Sequence, residues 1–195
     1  MRKLPTTSFQ IRRELAIAAS IAIGSLYAHS QTAIDRLRPR VATSARRPAI
    51  AKRVALAKWD GRVEVEDVAR EAQAVHSAVQ YGVSKGLDER FVARVFSAQI
   101  EANKLVQYSL IADWHRNGRA PAHEPVDLSA IRLELDRLQT ELIEELAELG
   151  KPGERTTCQT DIAKAIGEYR VHERGHPALQ QVALDRAVAG ICSPK

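Results

Sequence analysis

Apolar residues recur at helical spacing over most of the chain. From Ala33 to Trp59 the pattern is helical but contains Pro39 and Pro48. Each proline removes a backbone donor and disfavours helix in the residue before it, so a kink or a restart is expected near Pro48. A second helix is predicted from Val65 to Ser84 on the stripe Val68, Ala72, Val75 and Val79, stopping at Gly86. Asp88 is placed to cap a long third helix through His115. Its apolar face includes Phe91, Val95, Phe96, Ile100, Leu105 and Ile111, and Asn117-Gly118 ends it. The segment 119–126, with Pro121 and Pro125, reads as a loop before a start signal at Asp127. A fourth helix then carries Leu128, Ile131, Leu135, Leu138, Leu142, Leu146 and Leu149 until Lys151-Pro152-Gly153 breaks it. Two shorter helices, Thr157 to Tyr169 and Pro177 to Ile191, close the chain. The expected fold is all-α, a single domain of about six helices.

Composition supports that expectation. Only 9 of the 195 residues are aromatic, while Ala, Leu, Arg, Glu and Gln are plentiful, a balance that favours helices over a sheet. The length suits one globular domain.

The first thirty residues have a character of their own. Residues 15–28 form an uncharged apolar run, preceded by Arg12-Arg13 and followed by Ala28-His29-Ser30, small at the positions that precede a cleavage site. The run is shorter than the roughly 20 residues needed to span a bilayer. Residues 1–30 are therefore expected to be a signal peptide cleaved near Ser30, leaving 31–195 as the mature domain with no stable membrane anchor. The product is periplasmic if the source is Gram-negative and otherwise secreted. In an oxidising compartment two cysteines usually pair, so Cys158 and Cys192 are expected to form a disulfide that pins the last two helices together.

The formal net charge of +5 first suggests a nucleic-acid partner, but most of the excess lies in that leader. Beyond residue 30 there are 25 basic and 23 acidic groups, and no basic run is interleaved with aromatics. Nucleic acid is not expected as a partner. A metal is not expected either. Residues 172–176, His-Glu-Arg-Gly-His, match the zinc-protease pattern, but Gly175 and Pro177 set the match in a turn, where the two histidines do not share a helical face.

The informative pattern lies in polar side chains on helix faces beside the core. Arg47 and Lys58 are eleven residues apart, about three turns, so an unbroken helix puts them on one face roughly 16 Å apart. Arg53 is off that face. On the third helix Gln99, Asn103 and Gln107 recur at every fourth residue. Arg70 and Glu71 follow Asp67 on the second helix, and Arg132 lies near the start of the fourth. Together these cations and amides describe a pocket for a small dianion with a polar ether or hydroxyl between its carboxylates. No Ser/His/Asp set or phosphate loop accompanies them.

The stretches VALAKWD (54–60), EDVAREAQ (66–73), FSAQIEANKLVQYSLIADW (96–114) and DLSAIRLELDRL (127–138) resemble the secreted, all-helical chorismate mutases, the exported gamma subclass of the AroQ type. The resemblance covers residues 33–192, both cysteines included. It implies an all-α fold, commonly a homodimer, that converts chorismate to prephenate without a cofactor in a site built within one chain. By position, Arg47, Lys58, Arg70 and Arg132 match the cationic substrate ligands. Asn103 and Gln107 match polar positions of the third helix, and Glu71 matches a carboxylate that bonds the substrate hydroxyl. Two departures stand out: Pro48 replaces a helix-forming Leu, and Lys104 occupies a position often acidic in relatives.

The chemistry fits the absence of an acid–base pair. Chorismate rearranges in one molecule, so an enzyme acts only by holding the compact conformer and stabilising charge on the ether oxygen. Arg47 and Arg132 suit the two carboxylates, with Arg70 sharing that task, and Lys58 and Gln107 suit the ether oxygen. The competing expectation is a noncatalytic exported protein that retains the pocket for a small dianionic metabolite, which a helix broken at Pro48 would favour.

Overall fold

The computed structural model describes the backbone of residues 7–149, 156–172 and 178–192, and side chains from residue 33 onward within them, His172 excepted. Six helices follow in order: α1 (Thr7–Gly61), α2 (Val68–Ser84), α3 (Glu89–Asn117), α4 (Leu128–Leu149), α5 (Cys158–His172) and α6 (Ala178–Val188). No strand occurs among the described residues, so the all-α expectation holds.

The main correction concerns α1. It neither ends nor restarts at Pro48; both prolines lie inside one continuous helix. The cost of an interior proline is about 3 kcal/mol. Against it stand Ile34, Leu37, Val41, Ile50, Val54 and Leu56, all buried, and each large aliphatic side chain contributes about 1.5–3 kcal/mol on full burial. Packing therefore outweighs the lost backbone bond. α1 packs against α3, α4, α5 and α6 and forms the axis of the fold.

Local signals place the remaining helices. Asp67 caps α2, accepting from the Arg70 backbone N–H at 3.1 Å, and Asp88 caps α3, accepting from that of Phe91 at 2.9 Å. Gly118 closes α3 in the left-handed region at φ 71°. Asp127 accepts from the Ser129 N–H at 2.8 Å as α4 begins. α2 starts at Val68 rather than Val65, and its expected stripe is shifted accordingly. Val65 is buried in the turn before the helix, whereas Val68 is 74% exposed.

The largest core cluster joins α1, α3, α4, α5 and α6 through Leu37, Val41, Phe96, Leu142, Ile143, Leu146, Ile166 and Leu184, with Ile191 just beyond α6. Cys158, at the start of α5, is bonded to Cys192, just beyond α6, as the sequence led us to expect. After α6 the chain approaches α3 so closely that a Cβ on Gly190 would lie 2.8 Å from the Arg94 carbonyl oxygen. Among the described residues no helix is long and apolar enough to cross a membrane. The side chains of the leader (1–30), the break at 151–153 and the histidine pattern at 172–176 lie outside the described residues.

Candidate active site

A cavity of about 130 Å³ opens between α1, α2, α3 and α4. The seven side chains matched by position to substrate ligands line it: Arg47 and Lys58 from α1, Arg70 and Glu71 from α2, Asn103 and Gln107 from α3, and Arg132 from α4. The continuity of α1 through Pro48 is what brings Arg47 and Lys58 to the same wall. Arg53, off that face, pairs instead with Glu134 at 2.7 Å on the surface.

Arg47 is the most deeply set cation, at 6% exposure. One terminal nitrogen donates to the Leu135 carbonyl at 3.0 Å, while its buried Nε has no hydrogen-bond partner. Its guanidinium carbon sits 5.9 Å from the centre of the Phe96 ring. Burial lowers its pKa to about 10, partly countered by Asp136, so it remains charged at neutrality. Lys58 is half-buried and donates to the Val65 carbonyl across the turn after α1. Burial lowers its pKa, with Asp67 and Glu71 opposing the shift and Arg132 and Lys104 adding to it. Arg70 lies 3.6 Å from Asp136, and Arg132 forms no ion pair among the described residues.

The amides of α3 form a directed chain. Asn103 donates through Nδ2 to the Arg47 carbonyl at 2.7 Å, and its Oδ1 accepts from Gln107 Nε2 at 2.6 Å. A carbonyl only accepts, so it fixes which way Asn103 points, and Asn103 in turn fixes Gln107. Gln107 is left with one N–H to offer and a buried Oε1 without a partner. Glu71 accepts from the Asp67 N–H at 3.2 Å and from Lys104 at 3.0 Å.

Sequence reasoning missed Asp136 and Gln139 and gave Lys104, noted only as a departure from relatives, no place in the site; all three line the cavity. Helical spacing from Arg132 pointed to Asp136 one turn on and Gln139 two turns on. Gln99, the first of the three amides spaced four apart, turns away from the cavity and donates to the Ala187 carbonyl of α6 at 3.2 Å. Counting Lys104, the wall carries five cations and three carboxylates, a surplus of two positive charges. Such a site can bind a small dianion and place donors along it.

Known proteins resemble this chain in sequence and in fold. Residues 41–108 match the family described as chorismate mutase type II. The secreted chorismate mutase of Mycobacterium tuberculosis is 29% identical over 189 residues, spanning 92% of this chain and 94% of that relative. The crystal structure of the chorismate mutase from Burkholderia phymatum superposes with a TM-score of 0.77 at 37% identity, covering 82% of this chain and 98% of its own. That of Burkholderia thailandensis gives 0.75 at 30% identity, covering 80% and 99%. With fold and sequence in agreement, the chain belongs to the chorismate mutase family.

Proposed function

We propose that this protein is an exported chorismate mutase, converting chorismate to prephenate, and that it works as a homodimer. The observation that carries the reading is the convergence of four helices on one cavity with a surplus of two positive charges, matched to a dianion. Arg47 and Arg132 take the two carboxylates, and Arg70 assists. The unpartnered Nε of Arg47 is the kind of buried donor that a carboxylate satisfies. Lys58 and the remaining N–H of Gln107 donate to the ether oxygen as its bond to carbon breaks and negative charge grows there. Glu71 accepts from the ring hydroxyl, and Asn103 supports the polar end while orienting Gln107.

No proton moves and no nucleophile forms, so the rate comes from holding the reacting ends together and from donors already aimed at the ether oxygen. Export is supported by the apolar leader, by the Cys158–Cys192 bridge and by relatives named as secreted. The noncatalytic reading rested on a break at Pro48, and α1 is unbroken there.

The test is to follow the loss of chorismate absorbance with purified protein. Acceleration well above the spontaneous rate is expected; a rate equal to the spontaneous one overturns the proposal.

A further inference from the structure

The wall between α2 and α3 holds a buried lysine for which the mechanism above has no task. Lys104 is 8% exposed and lies 3.0 Å from Glu71, 2.8 Å from Glu101 and 3.7 Å from Glu66. Burial works against its charge, but hydrogen bonds donated to Glu101 and Glu71 outweigh that and raise its pKa. The three carboxylates are not equivalent. The side chains of Glu66 and Glu101 are 60% and 45% exposed, so water serves them, whereas Glu71 is only 25% exposed and lines the cavity.

Glu71 is held at both oxygens. Oε1 accepts from the Asp67 N–H and Oε2 accepts from Lys104. Each carboxylate oxygen has a second lone pair, so the group still accepts from a ligand while being unable to rotate. Without Lys104 one anchor is gone, and Glu71 is left near Asp67, the cap of its own helix, and Glu101 on α3 with no lysine between them. Lys58 from α1 and Arg132 from α4 remain as cations on the same wall.

We propose that Lys104 is a positioning residue for the rearrangement: by fixing the Glu71 carboxylate from α3 it sets where the ring hydroxyl of chorismate is received. The inference rests on the cavity being the chorismate site. Lys104 touches no reacting atom; it acts through Glu71.

The test is a double-mutant cycle on the full chain, with kcat and KM measured for Lys104→Gln, Glu71→Gln and the pair. Lys104→Gln is expected to lower kcat/KM about tenfold, an ordinary coupling between contacting charged groups. The same change in the Glu71→Gln background is expected to cost less than about twofold, because the carboxylate it served is already gone. Lys104→Arg, which keeps the charge and the pairing, is expected to restore most of the loss. If Lys104→Gln costs the same with or without Glu71, the lysine acts only through its charge on the dianion and the inference is overturned. An unaltered kcat/KM in Lys104→Gln also overturns it. Thermal unfolding of each variant separates lost folding from lost positioning, and should Lys104→Gln fail to fold, the cycle is run with Lys104→Met. Parental protein with no activity on chorismate overturns the functional reading itself, which distinguishes the two failures.

Discussion

Gln99 and Gln107 share a helix, a residue type and a face, yet they do different work. Gln99 looks toward the end of α6, where the last carbonyls of a helix lack partners of their own, and it caps one of them at Ala187. Gln107 looks toward a gap between four helices, where its carbonyl oxygen is buried and unpartnered. Each amide donates one hydrogen bond and keeps a buried oxygen without a partner; the difference is that Gln107 borders the cavity and Gln99 does not. Helical spacing puts residues on a common face, but what lies opposite decides whether an amide is structural or functional.

The strongest way to test that contrast is at the cavity end. Lys58→Ala is expected to lower kcat by about 10²–10³, some 3–4 kcal/mol of barrier, because its proposed partner charge grows only in the transition state. Steady-state kinetics on chorismate check this, and a loss confined to KM contradicts the assignment. Because burial lowers the pKa of Lys58 and holds that of Arg47 near 10, the parental rate is expected to be level through neutrality and to fall on the alkaline side as these groups lose their protons.

At the Cys158–Cys192 bridge the stakes are in folding. Replacing both Cys158 and Cys192 with serine removes a link between residues 34 apart, worth roughly 3–4 kcal/mol on the chain-entropy account. Urea unfolding is expected to show that loss, while kcat of the folded protein at low temperature stays at the parental value. A fall in kcat there would mean that α5 and α6 reach the cavity more directly than their packing indicates.

Much of this contrast was legible in the sequence, and the illegible part has a physical cause. Caps at Asp67, Asp88 and Asp127 and the stop at Gly118 are local chemistry, so the helix ends followed from neighbouring residues. Pro48 misled because its cost is local while the burial that outweighs it involves residues more than about 140 positions away in the chain, such as Ile191, which shares one core with Leu37, Val41 and Ala45. The cavity set was legible as a pattern of charge and spacing. The pairing of Lys104 with Glu71, and the turn of Gln99 toward α6, depend on which helix lies across the gap, and spacing within one helix carries no such information.

Gln107→Glu sharpens the cavity end further. The parental amide has two N–H groups, one spent on Asn103 Oδ1 and one proposed for the ether oxygen, and neither titrates. A glutamate has no donor when ionised and only one when protonated. Asn103 cannot turn to help, since its Nδ2 is held by the Arg47 carbonyl. Activity of the variant is therefore expected to rise as pH falls, yet to stay below the parent, with a loss of about 2 kcal/mol near neutrality if a donor has become a repelling charge. A flat profile at the parental rate would remove Gln107 from the ether oxygen.

The smallest effect is expected at the other glutamine. Gln99→Met keeps the shape of the side chain but leaves the Ala187 carbonyl without its donor, which costs about 1–3 kcal/mol for a buried acceptor. Part of that is recovered, because Gln99 Oε1 is itself buried without a partner and the substitution removes it. The net destabilisation is thus expected near 1 kcal/mol, read as a modest shift of the urea midpoint with an unaltered slope. Because Gln99 faces α6 and not the cavity, kcat and KM on chorismate are expected to match the parent. If Gln99→Met lowered activity as Gln107→Glu does, the two ends of the row would be one network, and the division between a structural amide facing α6 and a functional one bordering the cavity would be wrong.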